Sequence, residues 1–544
     1  MKSCTIYLLM PLCVLIGTTS FGQQFEWLKE TWINGSGKMS ISPQQYLYVE
    51  GTYPHILNTV NGVSLNNLGY PHVDLYVAKY NLDGDLLWVR STSNGSNADY
   101  IDSHAHAFDQ LGNIYITGYF HGDYIFDDIT LSSGDGERSD MFIVKYDVDG
   151  NLIWAKNYGS YTESDFNYVI QIDRVGNSYV LVKGVQDFKI GDLTIENPDE
   201  DYDYNLLLKL DTNGDYLWHA FIKGYFNASL VLDKNEEIHI GLSFQNDLIW
   251  PYEDTIYSQG EADIVFCHYS QDGLLLEKTH LKSQKNIDLA AFEIDTTNNL
   301  FAVIGVTPGH NVLIGANEIS IDTLTTILLA KFDYDYTLIW SKSINIDSTY
   351  INVKRQGLHF DSDQNLLIFV VKNDTNNMYL ETEGVYLLQL NSSNGEMIDE
   401  QYLDNFNGNI FDFDLDFNLY TLGGHFDNEE VLGVFVTSPT EGIHMSKINK
   451  LLPLPYRGKN DPHDLSIYPV PTQNGFNIRQ KIEDDEAIIF LNIYSINGEK
   501  IFEDQLTNKE IWNYFVQTST WPAGIYLGQL IVNEELQGFK IVKI

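Results

Sequence analysis

"DMFIVKYDVDGNLIWAKNYGS", residues 140–160, is the stretch whose reading decides the fold. An apolar run ends at Lys145-Tyr146, a tight Asp147-Val148-Asp149-Gly150 turn follows, and a second run carries Trp154. Apolar runs on either side of an Asp-Gly turn are a β-hairpin signal. The same phrase stands at 74–93 as "DLYVAKYNLDGDLLWVRSTS" and at 204–223 as "YNLLLKLDTNGDYLWHAFIK". Aligned on its lysine, it returns at Lys79, Lys145, Lys209, His268, Lys331, Gln389 and Lys447, in steps of 66, 64, 59, 63, 58 and 58 residues. A second hairpin recurs between these, as in "HAHAFDQLGNIYITGYF" (104–120) and "VIQIDRVGNSYVLVKG" (169–184). Each repeat therefore reads strand, turn, strand, long loop, strand, turn, strand.

A repeat of that length and content suits one four-stranded propeller blade. The seventh repeat supplies only three strands, the last being "GIHMSKINK" (442–450), before the chain enters a Pro-rich stretch, 451–464. The missing strand is at the other end: "FEWLKETWINGSG" (25–37) carries Trp27 and Lys29 where "LIWAKNYGS" carries Trp154 and Lys156. The expectation is all-β: a seven-bladed β-propeller over 23–450, closed three strands plus one by the N-terminal strand. The recurring tryptophans, Trp27, Trp88, Trp154, Trp218 and Trp340, read as packing between blades rather than as a carbohydrate-stacking stripe.

Composition bounds the rest. The chain has 544 residues and a formal net charge of −43, which repels phosphate backbones and excludes nucleic acid as a partner class. Residues 1–22 read as a secretory signal peptide, with Lys2 ahead of the apolar run Ile6–Ile16 and small residues Ser20 and Gly22 before the cut. No later segment is long and apolar enough to span a membrane. Cys4 and Cys13 leave with the leader, and Cys267 alone cannot form an internal disulfide. A packed core must hold the domain.

By these strings, residues 24–450 resemble the bacterial SBBP-type β-propeller repeats, most closely in the first three units. That resemblance implies the propeller and no defined reaction. After the linker 451–464, residues 465–544 change character: "LSIYPVPTQNGFNI", "LNIYSINGEKIF" and "WPAGIYLGQLIVNEELQGFKIVKI" are short alternating strands split by Asn-Gly and Ala-Gly turns, which predicts a small C-terminal β-sandwich. These strings resemble the C-terminal sorting domain of type IX secretion cargo. The matching positions are Tyr468, Pro469, Pro471, Gly475, Phe476, Gly498, Pro522, Gly524, Tyr526, Lys540 and Lys543, with Val470 in place of the family's usual Asn. The resemblance implies export through periplasm and outer membrane, recognition by the outer-membrane secretion machinery, and a secreted or cell-surface destination.

Candidate site residues are few. Asp99, Asp140 and Asp165 would arrive on the long-loop face of the propeller, where a ring of carboxylates could hold a divalent cation, calcium by its oxygen preference. The competing reading is that each caps backbone N–H groups of its own loop. His104 and His106 share one side of a strand, and an i,i+2 pair can share a metal, but no third ligand is assignable. No cofactor is called for. "DVDGN" (147–151) and "DTNGD" (211–215) lack the downstream glutamate of a calcium loop and read as hairpin turns. No Gly-x-Ser-x-Gly elbow or His-Glu-x-x-His helix occurs. Three readings follow: a non-catalytic module binding a glycan or protein by its loop face; a polysaccharide-active or ester-cleaving enzyme; and a surface-layer or adhesion component.

Overall fold

The computed structural model describes residues 25–31 and 37–448, less short loop segments, and then most strands and some turns of 466–543. The expected leader (1–22) and linker (451–464) lie outside the described residues. The regular structure described is entirely β-strand. The described residues divide into two compact units, one within 25–448 and the other within 466–543.

The first unit is propeller-like. Where seven equivalent sheets were expected, four separate four-stranded sheets are present among the described residues of this unit. The first sheet consists of Lys38–Ile41, Leu47–Pro54, Val73–Tyr80 and Leu86–Ser91. The fifth and sixth repeats, 287–344 and 351–404, form two more. The last combines Gly408–Phe413, Leu419–His425 and Gly442–Ile448 with the N-terminal strand Phe25–Thr31, antiparallel to Gly442–Ile448. Trp27 stands opposite Lys447, the register that Trp88 holds to Lys79, Trp154 to Lys145, Trp218 to Lys209 and Trp340 to Lys331.

The second, third and fourth repeats are absorbed into a six-stranded and a ten-stranded sheet, for two local reasons. Strand Tyr216–Leu232 is 17 residues long and serves two repeats: Tyr216–Lys223 pairs back with Tyr204–Leu210, and Tyr225–Leu232 pairs forward with Ile238–Gln245. Gly224 sits at the handover with φ +136°, and a Cβ there would meet the Asp247 carbonyl oxygen at 2.5 Å, so only glycine fits. The long loops also carry hairpins of their own. Phe188–Ile190 with Leu193–Ile195 adds to the outer strand Leu152–Ser160 of the preceding repeat. Val312–Ile314 with Asn317–Ile319 adds likewise to Leu275–Ser283, and Asp123–Phe126 with Ile129–Ser132 pairs onto Ser93–Asn94. These hairpins occupy backbone groups that an outer strand would otherwise expose.

The core lies between repeats rather than within them. Each of six apolar clusters mixes buried side chains from two neighbouring repeats, for example Tyr48, Leu75 and Val77 with Ile114, Ile116 and Phe142. Tyr420 and Met445 of the last repeat join Met39, Val49 and Tyr76 of the first. Neighbouring repeats are also bonded at their turns. Lys79 Nζ and Trp88 Nε1 both donate to the Val148 carbonyl in the next repeat, at 2.8 and 3.1 Å. Lys209 with Trp218 reaches Gln271, and Lys331 with Trp340 reaches Ser392, in the same way. Trp154 Nε1 donates to the Thr212 carbonyl, and Tyr420 Oη to the Leu82 carbonyl of the first repeat. The turn glycine receives the ring: a Cβ on Gly150 (φ +79°) would lie 2.7 Å from Trp88.

The second unit holds two sheets. One is three-stranded, from Ser466–Tyr468, Gly475–Arg479 and Tyr514–Gln517. The other is four-stranded, ordered Lys500–Leu506, Ile489–Ser495, Gly524–Val532, Glu535–Lys543. Ile478, Leu491, Ile493, Val516, Tyr526 and Leu530 are buried in it.

Candidate functional site

The repeat's turn aspartates are occupied locally. Asp147 Oδ1 accepts the N–H groups of Asp149 and Asn151 at 2.9 and 2.8 Å, and the Asn151 amide donates to Oδ2 at 2.8 Å. Asp109, Asp173, Asp211, Asp233, Asp295, Asp333 and Asp361 hold their turns alike. Lys145 adds an ion pair to Asp109 at 3.3 Å while lying over the Tyr115 ring.

The aspartates that open third strands also bond within their own repeats. Asp140 is half-buried and accepts from the Asn157 amide at 3.2 Å. Asp74, its equivalent, accepts from the Thr92 hydroxyl at 3.3 Å, and burial raises its carboxyl to about 7. Asp263 accepts from the backbone N–H groups of Gln259 and Ser283 and lies 2.8 Å from His280 Nε2. Asp99 and Asp165 lie outside the described residues. Among the described residues no group of three or more His, Cys, Asp or Glu is placed to hold a metal ion.

The two histidines on strand Tyr100–Phe108 have different surroundings. His104 meets the Tyr119 ring edge-on at 4.9 Å. His106 is at the seam between the first and second repeats, its side chain 3% exposed. Its Nδ1 lies 3.1 Å from Glu50 Oε1, and its Nε2 meets the Ser40 hydroxyl. Glu50, on Leu47–Pro54, is 1% exposed, and its Oε2 has no hydrogen-bond partner among the described residues. Ser40 is half-buried on Lys38–Ile41, an edge strand beside Gly408–Phe413. Lys38, two residues back on the same face, donates to the Ser103 hydroxyl at 3.2 Å and to the Ser103 carbonyl. A carboxylate only accepts, so Nδ1 carries the proton and Nε2 offers its lone pair to Ser40.

Sequence reasoning singled out His106, but not its neighbours Ser40 and Glu50. Glu50 had a usable signal, a charge inside the apolar run "LYVEGTY" (47–53). Ser40 had none, because the contact joins strands of two repeats.

A second cluster marks the drifted fourth repeat. His239 and His268 stand where the first three repeats have Tyr and Lys, and their rings stack at 4.3 Å and 13°. His268 Nε2 is 3.0 Å from Glu237 Oε2 and 3.2 Å from the Tyr334 hydroxyl. His239 Nδ1 is 2.9 Å from Tyr336 Oη. Burial, then the neighbouring His239, holds His268 below the ordinary histidine pKa. Tyr336 takes φ +55° in the turn position that glycine holds elsewhere.

In the tail, Tyr468, Gly475, Phe476, Gly524, Lys540 and Lys543 lie on strands. Tyr526 is buried and donates to the Pro522 carbonyl at 2.8 Å. Pro469, Pro471 and Gly498 lie outside the described residues.

Residues 466–543 match the secretion system C-terminal sorting domain. The tail is thus a type IX sorting domain, addressed to that machinery and directing the chain through periplasm and outer membrane to the cell surface or medium. No helix among the described residues is long and apolar enough to cross a membrane. No curated protein matches the chain. Similar solved structures include a Dyadobacter fermentans protein of unknown function, at 9% identity, TM-score 0.35, covering 79% of this chain and 99% of that one. A fungal alcohol oxidase in complex with copper is 10% identical at TM-score 0.40, covering 96% and 100%. The Dos1 propeller is 10% identical at TM-score 0.38, covering 78% and 95%. At this level of similarity the neighbours bear on neither activity nor ligand.

Proposed function

We propose that the chain is an exported seven-bladed β-propeller that binds a glycan or protein ligand outside the cell, without itself cleaving a polysaccharide backbone. The tail, 465–544, would be a small β-sandwich that serves export alone. The observation that carries the reading is the sorting tail joined to a propeller-like unit whose repeated Asp, Lys, Trp and Gly residues hold the repeats together. Seven blades are supported by the seven lysine-aligned repeats and by strand 216–232 dividing between two of them. Closure three plus one is supported by the Trp27–Lys447 register and by Tyr420 reaching Leu82. A calcium-dependent ligand site on the long-loop face, with Asp99, Asp140 and Asp165, belongs to the same reading.

The test incubates the secreted chain with a panel of insoluble polysaccharides, with and without calcium, scoring retention and newly formed reducing ends. Retention without new ends is the expected result. New ends would replace binding with backbone cleavage, and neither outcome on any polymer would move the ligand from glycan to protein. A second reading, ester cleavage, is favoured by one observation, the chain Ser40–His106–Glu50.

A further inference from the structure

Three side chains at the seam of the first two repeats stand in an order that simple packing does not require. The Ser40 hydroxyl meets His106 Nε2, and His106 Nδ1 lies 3.1 Å from Glu50 Oε1. Nucleophile, base and orienting acid follow one another through hydrogen bonds, which is the geometry by which such sites are recognised whatever their fold. Exposure falls along the chain, from half-buried Ser40 to a 3% exposed His106 side chain and a 1% exposed Glu50. A hydroxyl that must meet substrate is outermost, and the carboxylate that must not be solvated is innermost.

Glu50 supplies an independent argument. A carboxylate in a strand interior is costly unless its oxygens are satisfied. Here Oε1 has His106, while Oε2 is buried without a hydrogen-bond partner among the described residues. A purely structural seam would gain stability from an apolar residue at position 50. A group kept at such cost is typical of a site with a task.

We propose that Ser40, His106 and Glu50 form a nucleophilic acyl-transfer site that cleaves esters of small carboxylic acids, the class that decorates many polysaccharides. The Ser40 proton passes to His106 Nε2 as Oγ bonds the ester carbonyl carbon. The carbonyl re-forms, the alcohol leaves and takes the proton from Nε2, and an acyl group remains on Oγ. Water then attacks that acyl group, giving its proton through Nε2 to Oγ and releasing the acid. Glu50 holds the imidazole in the required tautomer and offsets its charge while protonated. Lys38, two residues from Ser40 on the same strand, holds its ammonium against the Ser103 hydroxyl and carbonyl. The Met39 N–H projects from the same open strand edge as the Ile41 N–H, which donates to Asp412 Oδ2 at 2.6 Å.

The test treats the full-length secreted chain with a fluorophosphonate probe and locates the adduct by peptide mass. Hydrolysis of 4-nitrophenyl acetate is followed in parallel. An adduct on Ser40 is expected, lost in Ser40→Ala, with turnover falling at least about 100-fold in Ser40→Ala and His106→Gln. Ser40→Ala removes one oxygen from a half-buried position, so its melting curve should match the parent even if Glu50→Gln misfolds. No adduct on Ser40 in a folded parent overturns the proposal, as does an adduct on another serine or turnover that survives Ser40→Ala. Loss of stability in His106→Gln with no adduct in the parent reduces the trio to a buried ion pair. Binding to insoluble polymers is scored separately, so either result stands without the other.

Discussion

Asp74 shows what one residue decides. It opens a strand at 2% exposure, with the Thr92 hydroxyl as its partner at 3.3 Å. Burial, opposed by that hydrogen bond, lifts its carboxyl from 3.8 to about 7. The folded chain holds this proton more tightly than the unfolded chain does. Its contribution to stability is therefore fully present below pH 3.8 and lost as pH rises through about 7. Asp74→Asn should raise the melting temperature by a few degrees at pH 8 and leave it unchanged near pH 4. Equal melting shifts at both pH values would show that the carboxyl does not hold its proton in the fold. The expected ligand role of Asp140 meets the same local chemistry, since its carboxylate accepts from Asn157 one strand away. A turn or strand-start aspartate is legible in sequence; whether it faces a ligand or its own backbone is not.

At the scale of the element, the repeated hairpin is a connector. Its tryptophan and lysine leave their own sheet and donate to a turn carbonyl roughly one repeat ahead, and the turn glycine leaves room for the ring. This answers why the phrase recurs with Lys, Trp and Gly in step: each residue matches one in the next copy. Trp154→Phe should cost about 1 kcal/mol, the worth of the hydrogen bond to Thr212, whereas Trp154→Ala should cost about 3–5 kcal/mol through the cavity beside Gly214. Urea unfolding of both variants checks this, and equal costs would mean that the ring's volume contributes nothing. The fourth repeat lacks the pair: Glu277 and His268 stand where Trp and Lys do elsewhere, and a stacked histidine pair with Tyr334 and Tyr336 fills the seam. The long-loop hairpins were not legible, because stretches as short as "FKI" and "LTI" carry no period until an outer strand accepts them.

At the scale of the whole molecule, the two termini of the propeller unit share one sheet. Removal of Phe25–Thr31 leaves the Gly442–Ile448 strand with an open edge. The shortened chain should associate with increasing concentration and become protease-sensitive. Size-exclusion chromatography with light scattering reads this; an unchanged monomer with an unchanged melting curve would show the N-terminal strand to be dispensable. The tail is a sorting domain for export, and the proposed ligand and reaction are both assigned to the propeller-like unit.

Hairpins, their period, the number of repeats and the sorting tail are all written locally. Alternation, turn residues and short motifs act within a few residues, and repetition multiplies the signal until it is unmistakable. The merging of three repeats into two large sheets, the hairpins laid on outer strands and the meeting of Ser40, Glu50 and His106 are not written there. Each depends on which strand lies beside which across a seam, and residues 40, 50 and 106 share no spacing that a single strand's geometry would impose. Local chemistry determined the elements of this protein, and packing between repeats alone decided its candidate site.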